Sequence, residues 1–338
     1  MINGHGDDLF HYKHLIKSNF SSNVYNRIEH EELFERLSNK LYLLSNYPEP
    51  EPLSLETAFA NFYHVEGDCV CVTNGATEGI YLIAQTFKGK KSAVWMPTFS
   101  EYADACRLHG HRVSAFYTYD SVPADADLVW LCNPNNPTGE VRDYQRMKEW
   151  IGAHPDKLFV IDQSYESFTF KRLFSVSEVA ALPNVILIHS LTKHFAIPGL
   201  RMGYLTGNAK LMKEIRLQRM PWSVNSLAIE AGFFALEKNL ELSINLREYL
   251  DTKEKFVKEL KRTGIVDVWD SDTHFFLVKL RMGKASALKE YLAEEHGILI
   301  RNASNFEGLD ESFFRLATQT EEENQALVKA LSDWMACI

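Results

Sequence analysis

No run of about eighteen apolar residues occurs anywhere in the chain, so no segment is expected to cross a bilayer as a helix. The opening stretch, MINGHGDDLFHYKH, lacks the basic-then-apolar order of a secretory signal. Positive charge is also short: the formal net charge is -9, which argues against a non-specific hold on nucleic acid or on an anionic membrane. Any anion must therefore be caught by a local site, against the overall field. Cysteine is sparse and odd in number, with Cys69, Cys71, Cys106, Cys132 and Cys337 scattered through apolar segments. That usage fits reduced thiols in a cytoplasm better than a disulfide framework. Cys69 and Cys71 would share one face of a strand, but no second pair follows to complete a metal site. Repeats, low-complexity tracts and Gly/Ser linkers are missing as well, so nothing divides the chain by composition.

What is present is ordinary globular composition, 46% apolar and 24% charged, over 338 residues. That length suits a large domain with a smaller one. Residues 1–29 are polar and weakly periodic and read as an arm. EHEELFERLSNKLYLL has helical spacing and stops at the proline-dense NYPEPEP, and PLSLETAFANFYHV is a second amphipathic helix. Strand-like and helix-like segments then alternate: DCVCVTNG, ATEGIYLIAQTF, SAVWMP, SEYADACRLHG, HRVSAFYTY, ADLVWLCNP, YQRMKEWIGAH, LFVIDQSY, NVILIHSLT and MGYLTG. Nearly continuous apolar strands in βαβ order predict an α/β domain over 30–237, a mostly parallel sheet flanked by helices. Past residue 205 the pattern turns long-helical, over AIEAGFFALEKNLELSINLREYLDTKEKFVKELKRTG, and then to short strands. This predicts a smaller α+β domain over 238–338, to which the arm contributes.

In a parallel sheet, ligands collect at the carboxyl ends of the strands. TNGATE, MPTFSEY, NPNNPTG, DQSY and SLTK occupy those ends. Gly75-Ala76-Thr77 sits where a strand becomes a helix, a place where free N–H groups and the helix dipole suit a phosphate. Many strand-helix turns carry a glycine for turn geometry alone. Asp162, the only acid in its strand, reads either as a helix-cap or solvated strand end, or as a carboxylate held for a ring-nitrogen cation. Asn136 alone is a turn residue and Tyr165 alone is packing. Lys193 lies in an apolar run and reads as a nucleophilic amine or base with a lowered pKa. Ser190 and Arg201 beside it suit a phosphate or carboxylate, with structural salt bridges as the alternative. Taken together, the residues fit one cofactor, pyridoxal 5'-phosphate: lysine for an imine, aspartate for the pyridine nitrogen, asparagine and tyrosine for a phenolate oxygen, and the glycine turn, serine and arginine for a phosphate.

The series NNPTG, DQSY, SLTK and GLR resembles the class I/II aminotransferases, the fold-type I pyridoxal phosphate enzymes, over nearly the whole chain. That resemblance implies the fold-type I architecture and a pyridoxal-phosphate-dependent activity. It implies Lys193 as the Schiff-base lysine, Asp162 at the pyridine nitrogen, and Asn136 and Tyr165 at the O3′ oxygen. Ala76, Thr77, Ser190 and Arg201 would hold the phosphate. Phe99 would stack on the ring, with Tyr102 its rival, and Tyr47 would reach the phosphate of the neighbouring subunit in a homodimer with shared sites. Arg315 matches the arginine that holds the substrate carboxylate.

RMPWSVNSLA, ILIRNASNFEGLD and FSSN are most similar to threonine-phosphate decarboxylase, a close relative of histidinol-phosphate aminotransferase. The resemblance implies a phosphorylated amino acid or amine as substrate, in a pocket that includes Asn23, Trp222, Asn225, Arg301 and Arg315. The first expectation is decarboxylation of L-threonine O-3-phosphate in cobalamin side-chain synthesis. The alternative is amino transfer from histidinol phosphate to 2-oxoglutarate. Two departures fall on this pocket: GHGD has Asp7 in place of the second glycine of an HGG segment, and FSSNVYN lacks the usual Asn-Pro. A reading from another class is a metal-binding regulator using His5, His11 and His14, although scattered histidines in an arm are common.

Overall fold

A computed structural model of the chain describes residues 9–12, 15–25, 27–240 and 245–337. Its large sheet has seven strands in the order Val70–Asn74, Met202–Gly207, Val185–Ser190, Leu158–Asp162, Leu128–Cys132, Lys91–Trp95, Arg112–Phe116. All run the same way except Met202–Gly207, which is antiparallel to both its neighbours. The strands are apolar on both faces because both faces are covered. Leu128 and Trp130 enter one core with Ile80, Tyr102 and Val160, while Val129 and Leu131 enter the opposite one with Trp150 and Phe159. A third core, with Leu33, Phe59, Tyr204 and Phe234, covers the Val70–Asn74 edge.

A second sheet of four antiparallel strands follows, in the order Arg301–Asn302, Phe313–Ala317, Phe275–Leu280, Val266–Val268. Helices Leu246–Arg262, Ala285–His296 and Glu321–Cys337 accompany it, and Phe256, Leu280, Leu292, Phe314 and Leu331 share one core. The long helical stretch read from the sequence is two helices, Ser226–Glu237 and Leu246–Arg262. Asn239 and Leu240 take positive φ values of 54° and 53° after the first helix, and the Asn245 side chain caps the second by accepting from the Glu248 N–H at 3.2 Å. Apolar periodicity carries across such a break unnoticed, because each half keeps its own stripe.

The N-terminal segment is more tightly held than its polar composition suggests. Ser18–Asn19 pairs in parallel with Ile298–Leu299, Phe20 is fully buried in the core of the second sheet, and the Ala317 N–H donates to the Phe20 carbonyl at 2.9 Å. One aromatic residue and backbone pairing do this, and neither leaves a periodic signal.

The covered edge of the large sheet rests on a buried charge pair. Glu56 accepts from the Val72 N–H at 2.9 Å and pairs with Arg219, which also donates to the Val72 carbonyl at 3.1 Å. Both side chains are almost wholly buried, so neither can lose its partner and turn to water. Glu56→Ala is expected to lower the apparent unfolding free energy by about 3–5 kcal/mol, read from the urea midpoint.

Candidate active site

Five parallel strands, ending at Asn74, Trp95, Cys132, Asp162 and Ser190, deliver their carboxyl ends to one side of the large sheet. A cavity of about 230 Å³ lies there. Of the residues singled out in the sequence, Asn23, Ala76, Thr77, Phe99, Tyr102, Asn136, Asp162, Tyr165, Ser190, Lys193, Arg201 and Arg315 line it.

At one end of the cavity, Gly75 opens the helix Gly75–Thr86 directly from the strand, at φ +76°. A Cβ on Gly75 would stand 2.7 Å from Arg201 Nη2, so this glycine lets the guanidinium lie over the turn. Beneath it, a Cβ on Gly203 would come within 2.5 Å of the Ala76 nitrogen. Arg201 itself sits at φ 60° and donates to the Pro198 carbonyl at 3.2 Å. A helix N-terminus, two hydroxyl residues (Thr77 and Ser190) and a guanidinium thus line one cavity, and together they are a donor set that suits a phosphate dianion.

In the middle, Asp162 is buried and has no salt bridge among the described residues. Burial pushes its pKa up, against donors that favour the carboxylate: the Ser164 N–H at 2.9 Å and the Tyr102 hydroxyl at 2.8 Å. A buried carboxylate with only neutral donors fits a ligand that brings an N–H cation, as a protonated pyridine does. The structure also separates the two aromatic candidates. Tyr102 is fully buried and spends its hydroxyl on Asp162, while Phe99 is half-buried at the cavity, edge-on to Tyr102 at 5.8 Å. Lys193 follows Ser190 in the short helix Leu191–His194 and is half-buried on the cavity wall rather than enclosed by apolar neighbours.

At the far end, Arg315 is buried and donates to Asn136 Oδ1 at 2.6 Å and to the Ser21 carbonyl. The second sheet, the large sheet and the N-terminal segment therefore meet through one guanidinium. Tyr165 is buried and joined to Asn23, whose Nδ2 donates to its hydroxyl at 3.1 Å. Burial raises the pKa of that phenol and so keeps it a neutral donor.

Four expected site residues lie elsewhere. Tyr47 is 84% exposed and packs against Trp222 at 5.4 Å. Asn225 caps the helix Ser226–Glu237, accepting from Ala228 N–H at 2.8 Å, and donates to the Leu200 carbonyl at 3.1 Å. Arg301 turns to its own loop, donating to the Asn302 carbonyl at 2.7 Å and to Asn305 at 2.9 Å, over the Phe306 ring. Conversely, the cavity includes Ser21, Ser22, Val24, Cys132, Ser164, Thr192 and Pro198, which sequence reading passed over. Ser21 acts through a backbone carbonyl, which no residue type announces. His5, His14 and the GHGD segment lie outside the described residues. No cluster of three or more His, Cys, Asp or Glu that could hold a metal occurs among the described residues, and Cys69 and Cys71 are buried free thiols. No helix among those residues is long and apolar enough to cross a membrane.

The chain belongs to the family of class I and II aminotransferases, whose sequence pattern it matches over residues 16–331, and is a pyridoxal-phosphate-dependent enzyme. Its fold is similar to that of the L-threonine-O-3-phosphate decarboxylase of Porphyromonas gingivalis, at 37% identity and a TM-score of 0.92 over 94% of this chain and 99% of that one. A histidinol-phosphate aminotransferase of Caldanaerobacter subterraneus is 32% identical over 85% of this chain and 84% of that protein. The threonine-phosphate decarboxylase of Salmonella typhimurium is 27% identical over 87% and 85%.

Gly75→Ala should force the Arg201 guanidinium away and strain the turn, weakening retention of pyridoxal phosphate about tenfold or more. Equilibrium dialysis against the cofactor measures this.

Proposed function

We propose that this enzyme removes the carboxylate of L-threonine O-3-phosphate, releasing carbon dioxide and 1-aminopropan-2-yl phosphate, a step that would serve cobalamin side-chain synthesis. The observation that carries the reading is the whole-length likeness, in sequence and fold, to the Porphyromonas decarboxylase. The cavity supports it, because a fixed, buried cation, Arg315, lines the same cavity as Lys193. Amino transfer from histidinol phosphate to 2-oxoglutarate is the second reading, favoured by the Caldanaerobacter relative.

In this reading residues 30–237 form the cofactor domain, 238–338 the small domain, and 1–29 an arm contributing to the latter. Ala76, Thr77, Ser190 and Arg201 bind the cofactor phosphate, and Phe99 covers the ring. Asp162, kept in place by Tyr102 and Ser164, pairs with the ring nitrogen. Tyr165 and Asn136 reach the phenolate oxygen; Arg315 occupies Asn136 Oδ1, which leaves the amide N–H groups to donate. Pyridoxal phosphate supplies an electron sink for whichever substrate Cα bond stands perpendicular to its ring.

The protein's task is to choose that bond. Arg315 binds one anionic group of the substrate, and Asn23 contacts the same molecule. Trp222, Asn225 and Arg301 complete the pocket after loop movement or pairing with a second subunit. For decarboxylation the Cα–carboxylate bond would break, carbon dioxide would leave, and Lys193 Nζ would deliver a proton to Cα. For transamination Lys193 would instead take the Cα proton and return it elsewhere.

The homodimer belongs to the same proposal. Phe34, Leu41, Tyr42, Leu44, Tyr47 and Leu53, together with Leu217, Met220 and Trp222, are exposed in two short stretches. Apolar residues so concentrated mark an interface. A second copy docked there would bring Tyr47 toward the cavity of its partner. We assign the enzyme to the cytoplasm, where its buried thiols stay reduced.

The purified enzyme is expected to be yellow, and borohydride should fix the cofactor on Lys193, as peptide mapping would detect. Lys193→Ala should keep cofactor binding but lower turnover by about a thousandfold or more. Carbon dioxide should appear from L-threonine O-3-phosphate without any 2-oxoglutarate. If transfer to an oxo acid is the only reaction, the decarboxylase reading fails. Sedimentation should give twice the 38.8 kDa of one chain, and Leu44→Asp should return it to one.

A further inference from the structure

Residues 20–25 lie across the cavity, and Ser21, Ser22, Asn23 and Val24 form part of its wall. Asn23 is buried, with one end of its amide spent on the Tyr165 hydroxyl at 3.1 Å. The other end has no partner among the described residues. The peptide of Asn23 is held from behind: its carbonyl accepts from His274 Nε2 at 3.1 Å. A carbonyl can only accept, so Nε2 carries the proton and Nδ1 is bare, which agrees with Nδ1 lacking a partner.

The imidazole has no freedom to turn. It is fully buried, lies 4.0 Å from the Phe168 ring and stacks on Tyr249 at 5.3 Å, and Tyr25 meets Tyr249 edge-on at 5.2 Å. The Thr318 N–H fixes the His274 carbonyl at 2.9 Å. His274 also leads directly into the strand Phe275–Leu280, whose Leu277 is in register with Arg315. One side chain thus sets Asn23 relative to the strand pair that carries Arg315. Burial, against the hydrogen bond to Asn23 and with the help of the nearby Arg315 and Lys193 cations, brings the His274 pKa down to about 3. The ring is therefore a neutral donor that adds no charge to a site already holding Lys193, Arg201 and Arg315.

We propose that His274 is a positioning residue for the substrate subsite: its Nε2–H holds the Asn23 peptide so that the spare end of the Asn23 amide is presented to the bound substrate. The inference rests on reading this cavity as the site of a phosphorylated amino acid. His274 touches neither substrate nor cofactor; it acts through Asn23.

Two variants of the holoenzyme test it. His274→Phe keeps a packed ring and loses the donor, while His274→Gln keeps a donor. Hydrogen exchange of the Tyr25 amide, which donates to the Lys193 carbonyl at 3.0 Å, reports the hold on this segment without any substrate. His274→Phe should speed that exchange about tenfold and leave the helix Ser226–Glu237 unchanged, with His274→Gln near wild type. The KM for L-threonine O-3-phosphate should rise about tenfold in His274→Phe with kcat and the cofactor absorbance little changed, and Gln should restore it. Unchanged exchange in His274→Phe, or faster exchange with an unchanged KM, overturns the proposal. So does an equal loss of kcat and cofactor in both variants, which is the mark of a purely structural histidine. A wild-type enzyme inert toward L-threonine O-3-phosphate would sink the proposed function instead, since the Tyr25 exchange still judges the role of His274.

Discussion

A carboxylate taken out of water without a cation beside it is among the least comfortable groups a protein can hold, and Asp162 is in that position. The architecture around it is arranged for this one group. Parallel strands covered on both faces create the dry place, and the strand end puts the carboxylate at its rim. The Tyr102 hydroxyl and the Ser164 amide then hold both oxygens without neutralising the charge. Tyr102 is in turn stacked on Trp130 at 6.0 Å, so the donor is fixed by the core itself. What remains is a buried negative charge met only by neutral donors, which is how a fold can hold binding energy ready for a cationic ligand group.

The cavity ends proposed for phosphate and for substrate are built differently. Gly75, Gly203 and Arg201 make a site from backbone geometry, in which the absence of a side chain matters as much as the presence of one. At the other end, Arg315 is positioned by partners from two distant parts of the chain, Asn136 and the Ser21 carbonyl, so this end of the cavity is complete only when both are in place.

Much of this was legible beforehand because residue type and spacing suffice for side chains that carry chemistry. Lys193 and Asp162 are unusual in their surroundings, Asn136 and Arg315 stand out only through the resemblance to the aminotransferases, and the alternation of apolar segments announces the sheet. Direction is not encoded in an apolar run, so Met202–Gly207 could be read as a buried strand but not as an antiparallel one. Phe99 and Tyr102 come from the same turn, and only the position of one hydroxyl against Asp162 tells them apart. The contributions of the Ser21 and Asn23 carbonyls were hidden, because every residue has one. Tyr47, Trp222, Asn225 and Arg301 point to surfaces and loops that one chain alone does not bring into its own cavity.

The pairing of Ser18 with Ile298 has a consequence for how the molecule comes into being. Synthesis runs from N- to C-terminus, so residues 18–21 are made well before Ile298 and Arg315 and can take their place only after both exist. The seven-stranded sheet can form while Phe20 still lacks the core that buries it, and Arg315 cannot close on Ser21 until the Phe313–Ala317 strand has been made. Long-range closure of this kind is slow. Completion of this wall thus reports that the chain has been made at least as far as the Phe313–Ala317 strand and that the second sheet has folded.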